Sequence, residues 1–467
     1  MLSQIESFPK FSAPTLAETL RQRRQKLAQH LSCPVLLWSG QSSSRNFPAN
    51  IFPYRANSHF LYFAGLPLLN AVIRLEAGRM TLFMDDATPA SLLWHGDSPK
   101  REEIAAQIGA DDALPLQDLQ ADGAATLPVQ DAATRSQQSE VLKRSLLQDL
   151  SRQGLSGIDQ ELAKAIAQIR LIHDGEAIAQ IRQAVAVTVQ AHKAGMAATT
   201  RANTEAEVRA AMESVIIGHS MTCAYNSIVT VHGEVLHNHH YHHAIHPGDL
   251  LLADVGAEAE SGWASDVTRT WAVSGQFSPT QRAMYEVVLA AHDLCIEAAR
   301  PGVEYKDLHW MACGAIAAGL VEVGILRGQA EDLVAMDAHA LFFPHGVGHI
   351  LGLDVHDMED LGDLAGYEAG RVRSDRFGLG YLRLDRPLRA GMVVTIEPGF
   401  YQVPAILQDP ECREKYQNVI NWERLETFAD VRGIRIEDDV LITETGNEVL
   451  TAELPTKLEA IEGLVNS

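Results

Sequence analysis

Four apolar, β-type runs in the second half of the chain each carry a carboxylate. Asp254 interrupts LLLADVG, Asp266 sits in WASDVTRT, Glu397 ends MVVTIEPG, and Glu437 follows GIRI. An ionised carboxylate in a buried strand is costly unless it is paired or bound to a metal. One such acid reads as an edge or turn residue. Four, joined by the glycine-flanked His349 of FPHGVGHILGLDVHD, form a ligand set. Mostly oxygen donors suit manganese or another hard-to-borderline divalent cation, with cobalt, zinc and magnesium as alternatives. Two ions about 3.5–4 Å apart account for four carboxylates better than one ion, because bridging carboxylates offset the repulsion between the cations. The expected metal ligands are therefore Asp254, Asp266, His349, Glu397 and Glu437.

The chain also carries EVLHNHHYHHAIHPGD, in which His237, His239, His240, His242 and His243 crowd into seven positions. Imidazole is a common metal ligand, but the carboxylate set already supplies a site and this run lies outside its strands. His239, His240, His242 and His243 read as a loop beside that site.

Composition narrows the partners. A formal charge of −22 argues against a nucleic-acid or anionic-membrane partner, since both demand clustered Lys/Arg. No apolar run approaches the roughly 18 residues of a spanning helix. The N-terminal MLSQIESFPKFSAP has neither a basic start nor an apolar core, so no secretory signal is expected. Five scattered cysteines, with no CxxC spacing, argue against a disulfide framework or a zinc ribbon and fit a reducing, cytoplasmic setting.

Three sections follow along the chain. Up to about Leu150, helix-like LAETLRQRRQKLAQHL leads to the apolar run CPVLLWSG and to AVIRLEAGRMTLFMDD, a hairpin turning at Glu76–Gly78. This alternation predicts an α/β domain. Leu116–Gln138 is polar and reads as surface or loop. From about Ser151 to Ile217 the spacing is helical, with Asp174 as a cap. From about Met221, strands and helices mix. The expected domains are 1–165 and 166–467.

The motifs DVGAEAESGWASDVTRT, HGVGHILGLDVHD, TIEPG and GIRIEDD resemble, in order, those of the pita-bread metallopeptidases, the group of methionine aminopeptidase, aminopeptidase P and prolidase. HGVGH…LDVHD and RIEDD resemble the aminopeptidase P and prolidase branch. YRANSHFLYFAG (Tyr54–Gly65) is similar to the N-terminal domain of aminopeptidase P. The resemblance implies an α/β N-terminal domain followed by an α+β pita-bread catalytic domain. It implies hydrolysis of the bond before a penultimate proline, releasing the N-terminal residue. Asp254 would bind one ion, Asp266 and Glu437 would bridge, and His349 and Glu397 would complete the second. Glu397, His356 and His237 would be catalytic, and His237, His345, His356, Arg383 and Arg435 would surround the substrate.

The resemblance further implies a homo-oligomer, dimer or tetramer, in which the N-terminal domain of one subunit roofs the site of another. Trp94 in SLLWHG is either such a roof residue or a core residue of its own domain. The sequence departs from the family twice: Asp254–Asp266 is one residue longer than usual, and Glu359–Arg389 is longer than in typical aminopeptidase P. In the latter, GLGYLRLDRPL is similar to prolidase, whose arginine for a dipeptide's carboxylate falls at Arg383. Prolidase is thus the rival activity. Creatinase-like hydrolysis and a non-catalytic binding module both require ligand loss, and all five ligands are present.

Overall fold

The computed structural model describes residues 15–146, 155 and 157–467. The N-terminal stretch ending at Pro14 and the section boundary at Leu150–Ser151 lie outside the described residues. The chain divides into two compact units, Met1–Ile169 and Arg170–Ser467. The expected boundary at 165/166 falls within the helix Gly157–Arg170.

The first unit is a mixed five-stranded sheet in the order Asp112–Leu114, Arg79–Phe83, Val72–Glu76, Val35–Trp38, Ala125–Thr126. The hairpin expected around Glu76–Gly78 pairs Val72–Glu76 with Arg79–Phe83. Ala77 (φ 49°) and Gly78 (φ 78°) both take the left-handed conformation that a tight two-residue hairpin requires. Leu16–Ala28 starts on a capping box between Thr15 and Glu18. The reading of Leu116–Gln138 as surface needs correction. Ala124–Val129 is buried, and Ala125–Thr126 pairs in parallel with Val35–Leu36. Six apolar or small residues inside a polar stretch suffice for a buried edge strand, a signal that the average polarity of the segment hides.

The second unit stacks the helices Gly175–Thr199, Glu205–Gly218, Pro279–Ala298 and Tyr305–Glu322 with short antiparallel sheets. Asp174 caps the first helix through Ala177 N, as expected. One sheet runs Thr268–Ala272, Leu250–Asp254, Ile228–Thr230; another runs Val393–Ile396, Asp438–Ile442, Asn447–Val449; a two-stranded ladder pairs Gly399–Tyr401 with Gly433–Arg435. The four carboxylates, expected in strands, are not all there. Asp254 ends its strand. Asp266 precedes Thr268–Ala272, and Glu397 and Glu437 occupy facing breaks between two ladders. At these breaks the backbone bonds to other segments: Glu437 N to Thr268 O (3.0 Å) and Glu397 N to Val347 O (2.8 Å). The carboxylates collect where the ladders part, and there side chains can turn inward. Between Asp254 and Asp266 the chain turns at Ala259–Trp263, where Gly262 takes φ +90°.

Arg269 ties this region together. Fully buried, it donates to Asp438 Oδ1 (2.7 Å) and to the carbonyls of Thr268, Glu437, Leu454 and Pro455. Arg269→Met should leave the buried Asp438 carboxylate with only Thr451 and His292 as partners and cost about 3–5 kcal/mol, read as a lowered urea midpoint.

Candidate metal centre

A cavity of about 880 Å³ opens over the facing breaks, and its lining includes all five expected ligands. Ligand atoms of Asp266, His349 and Glu437 lie within 4.8 Å of one another, and all three residues are buried. His349 Nε2 is 3.3 Å from Asp266 Oδ2 and 3.7 Å from Glu397 Oε1. Asp254 joins through Tyr225, whose hydroxyl lies 2.5 Å from Asp254 Oδ1 and 2.6 Å from Asp266 Oδ1. His349 is delivered by a loop in which Gly348 takes φ +151°. A Cβ there would strike Tyr305 Oη and Thr395 O, so the loop can hold only glycine. His349 N donates to Thr395 Oγ1 (3.1 Å), which fixes the ring beside the strand Val393–Ile396.

The electrostatics test whether these residues fit a cation. Burial, then the Asp254 carboxylate, pushes Asp266 up to about 7. Burial pushes Glu397 up to about 7 against the pull of His349 and Arg435. Glu437 is raised well above the usual carboxyl range by burial and by Asp266 and Glu397. Burial lowers His349, leaving a neutral imidazole. Carboxylates crowded into a largely buried floor beside a neutral imidazole are a donor set that divalent charge would neutralise. The residues fit a divalent metal.

The outer residues separate by role. His345 Nε2 contacts Tyr401 Oη (2.9 Å), and burial, then Arg435, lowers it to about 3. His356 Nδ1 meets Glu359 Oε2 (2.7 Å), and its ring lies 4.4 Å from that of His349. Arg383 lines the cavity and donates through Nε to Glu359 Oε1 (3.1 Å). Arg435 also lines it, but its hydrogen bonds go to Asp254 Oδ2 (2.5 Å), Tyr401 Oη (2.9 Å) and Thr268 Oγ1 (3.0 Å). It holds Asp254 in place. Tyr225, Thr268 and Tyr401 did not stand out in the sequence. Thr268 donates to Glu437 Oε2 at 2.6 Å. A lone hydroxyl in an apolar run carries no local signal of such a contact.

The histidine run divides in two. His237 lines the cavity, and burial, then Arg435, lowers its pKa. His239, His240, His242 and His243 are not among the lining residues. His243 Nδ1 instead pairs with the fully buried Glu205 (2.8 Å), and its ring packs on those of His232 and His242. We expect His237→Ala to lower turnover about 10²-fold, the scale of a lost oxyanion donor, with metal content unchanged. Replacing His239, His240 and His242 should cost less than about tenfold. Adding His243→Ala should lower stability by about 1–3 kcal/mol, because the buried Glu205 loses the partner of its Oε2. Steady-state kinetics, metal analysis and thermal melts read these outcomes.

The model of metallopeptidase family M24 matches residues 179–444, and that of the aminopeptidase P N-terminal domain matches residues 20–133. The chain belongs to the aminopeptidase P family of the pita-bread metallopeptidases. It is 31% identical to the Xaa-Pro aminopeptidase of Escherichia coli over 96% of this chain and 97% of that one. It is 30% identical to a probable Xaa-Pro aminopeptidase of Phaeosphaeria nodorum over 89% and 88%. The structure of E. coli aminopeptidase P with the inhibitor Pro-Leu superposes with a TM-score of 0.79 at 30% identity, covering 96% of this chain and 98% of that one. Pseudomonas aeruginosa aminopeptidase PepP gives 0.77 at 29%, with the same coverage. The expected architecture, an N-terminal α/β domain and a pita-bread catalytic domain, is the architecture of this family. The chain is a metal-dependent peptidase. Among the described residues, no helix is long and apolar enough to cross a membrane.

Proposed function

We propose that this aminopeptidase P family member removes the N-terminal residue from peptides with proline in second position. We further propose that Asp254, Asp266, His349, Glu397 and Glu437 hold two divalent ions, manganese foremost. The observation that supports this most is the convergence of Asp266, His349 and Glu437 within 4.8 Å on a cavity floor also lined by Asp254 and Glu397. Bound divalent metal would lower the pKa of a water and polarise the scissile carbonyl. Glu397 accepts the proton of the attacking water at its carboxylate and returns it to the leaving nitrogen. His237 and His356 donate to the carbonyl oxygen as negative charge develops on it. His345, held by Tyr401, flanks the substrate. Proline nitrogen forms a tertiary amide with no N–H, so the site needs an apolar slot and no acceptor for that position.

Cleavage of Ala-Pro-Gly, with Ala-Ala-Gly left intact, tests this reading; equal cleavage of both would contradict it. One observation favours a second reading, the Xaa-Pro dipeptidase. Arg383 engages Glu359 through Nε, which leaves its terminal nitrogens to meet a dipeptide's carboxylate. Faster cleavage of Ala-Pro than of Ala-Pro-Gly would support it.

A cytoplasmic, homo-oligomeric enzyme, dimer or tetramer, completes the proposal. The structure corrects the alternative that Trp94 lies in its own domain's core: Leu93 and Trp94 are 78% and 80% exposed on a helix with no buried side chain. Such a helix suits a contact with a second copy. Light scattering should show at least a dimer, and Leu93→Glu with Trp94→Glu should reduce it to monomer.

A further inference from the structure

We infer that Tyr381 and Phe377 form a wall that selects the residue following proline, favouring an aromatic or large apolar side chain there. This rests on the peptidase reading and extends it past the scissile bond. The wall belongs to the stretch Glu359–Arg389, and both residues line the cavity. The segment that carries them is held at three points. Arg371 reaches Glu304 Oε2 and Asp385 Oδ1 (2.6 Å each). Arg373 reaches Asp363 (2.5 Å) and the carbonyl of Leu382 (2.9 Å). Arg376 reaches Asp337 (2.6 Å) and stacks over Trp310 at 5.2 Å. Gly378, at φ +84°, turns the chain between the two aromatics.

A segment so fixed nevertheless leaves Tyr381 67% and Phe377 40% exposed. Aromatics on a rigid wall with open faces are a preorganised apolar surface for a ligand. Charge sets the direction of the peptide along the cavity. The substrate's ammonium end is drawn to the buried carboxylate floor, and its downstream end runs toward Arg383. Tyr381 stands two residues before Arg383, and its backbone abuts Gly346, where an added Cβ would lie 3.0 Å from Tyr381 O. The wall therefore lies beside the His345 loop, on the downstream side. At about 880 Å³ the cavity sits near the top of the ~300–1,000 Å³ range of ligand pockets, which leaves room past the proline.

The test compares Ala-Pro-Phe with Ala-Pro-Gly on the metal-loaded enzyme. Wild type should favour Ala-Pro-Phe in kcat/KM, chiefly through KM. Tyr381→Ala with Phe377→Ala should cut the ratio of the two kcat/KM values about tenfold, equivalent to about 1.4 kcal/mol. Both positions are partly exposed, so truncation leaves no buried cavity, and melting temperature checks the fold. A ratio that moves less than twofold would overturn the wall. If wild type cleaves neither peptide, the peptidase reading fails on its own terms. Calorimetric binding of Pro-Phe and Pro-Gly then still decides the wall: a tenfold preference for Pro-Phe supports it, and equal affinity overturns it.

Discussion

Exhaustive chelation should abolish hydrolysis of Ala-Pro-Gly, and added manganese should restore it. The reason is electrostatic before it is catalytic. Asp254, Asp266 and Glu437 are at least nine-tenths buried, and Glu397 lines the same floor. Without divalent charge, the folded site must either hold repelling carboxylates or protonate them, which is why burial and mutual repulsion push Asp266 and Glu397 up to about 7. Binding to the folded state alone should then stabilise it. At a free metal concentration 100 times Kd the gain is about 2.7 kcal/mol, which should raise the melting temperature by several degrees. Glu437→Ala should remove both the activity and the manganese-dependent thermal shift. Activity that survives chelation, with a melting temperature indifferent to manganese, would rule out the metal site.

Glu397→Gln should lower kcat by at least about 10³-fold. General acid–base catalysis by one positioned group supplies about 10²–10⁴, and the amide also weakens a ligand. Glutamine matches glutamate in size, so the cavity keeps its shape. Its lost charge relieves the crowding, so the melting temperature of the metal-free variant should not fall. Measuring kcat alongside metal content separates the two roles. A variant with full metal and a kcat lowered only about tenfold would show that the proton is carried by another group.

Legibility in the sequence followed the range of the physics. The four candidate carboxylate ligands stood out because a carboxylate beside an apolar run violates a local rule, and local rules can be read along a chain; His349 stood out by its flanking glycines. Their position was read less well, since the strands that carry Glu397 and Glu437 break at the same level and only pairing across the sheet reveals it. Ala124–Val129 was missed because a short buried edge strand was averaged into a polar stretch. Tyr225 was invisible: its contacts to Asp254 and Asp266 join residues 29 and 41 positions away. The histidine run was legible in composition but not in role. The pairing of His243 with Glu205, 38 positions earlier, depends on how the helix Glu205–Gly218 packs.

Elemental analysis of the purified protein tests the central claim most directly. The account predicts two divalent ions per chain in the wild type and at most one after Asp266→Ala. A wild-type protein that hydrolyses Ala-Pro-Gly yet carries no divalent metal, or an Asp266→Ala variant that retains both ions, would contradict it.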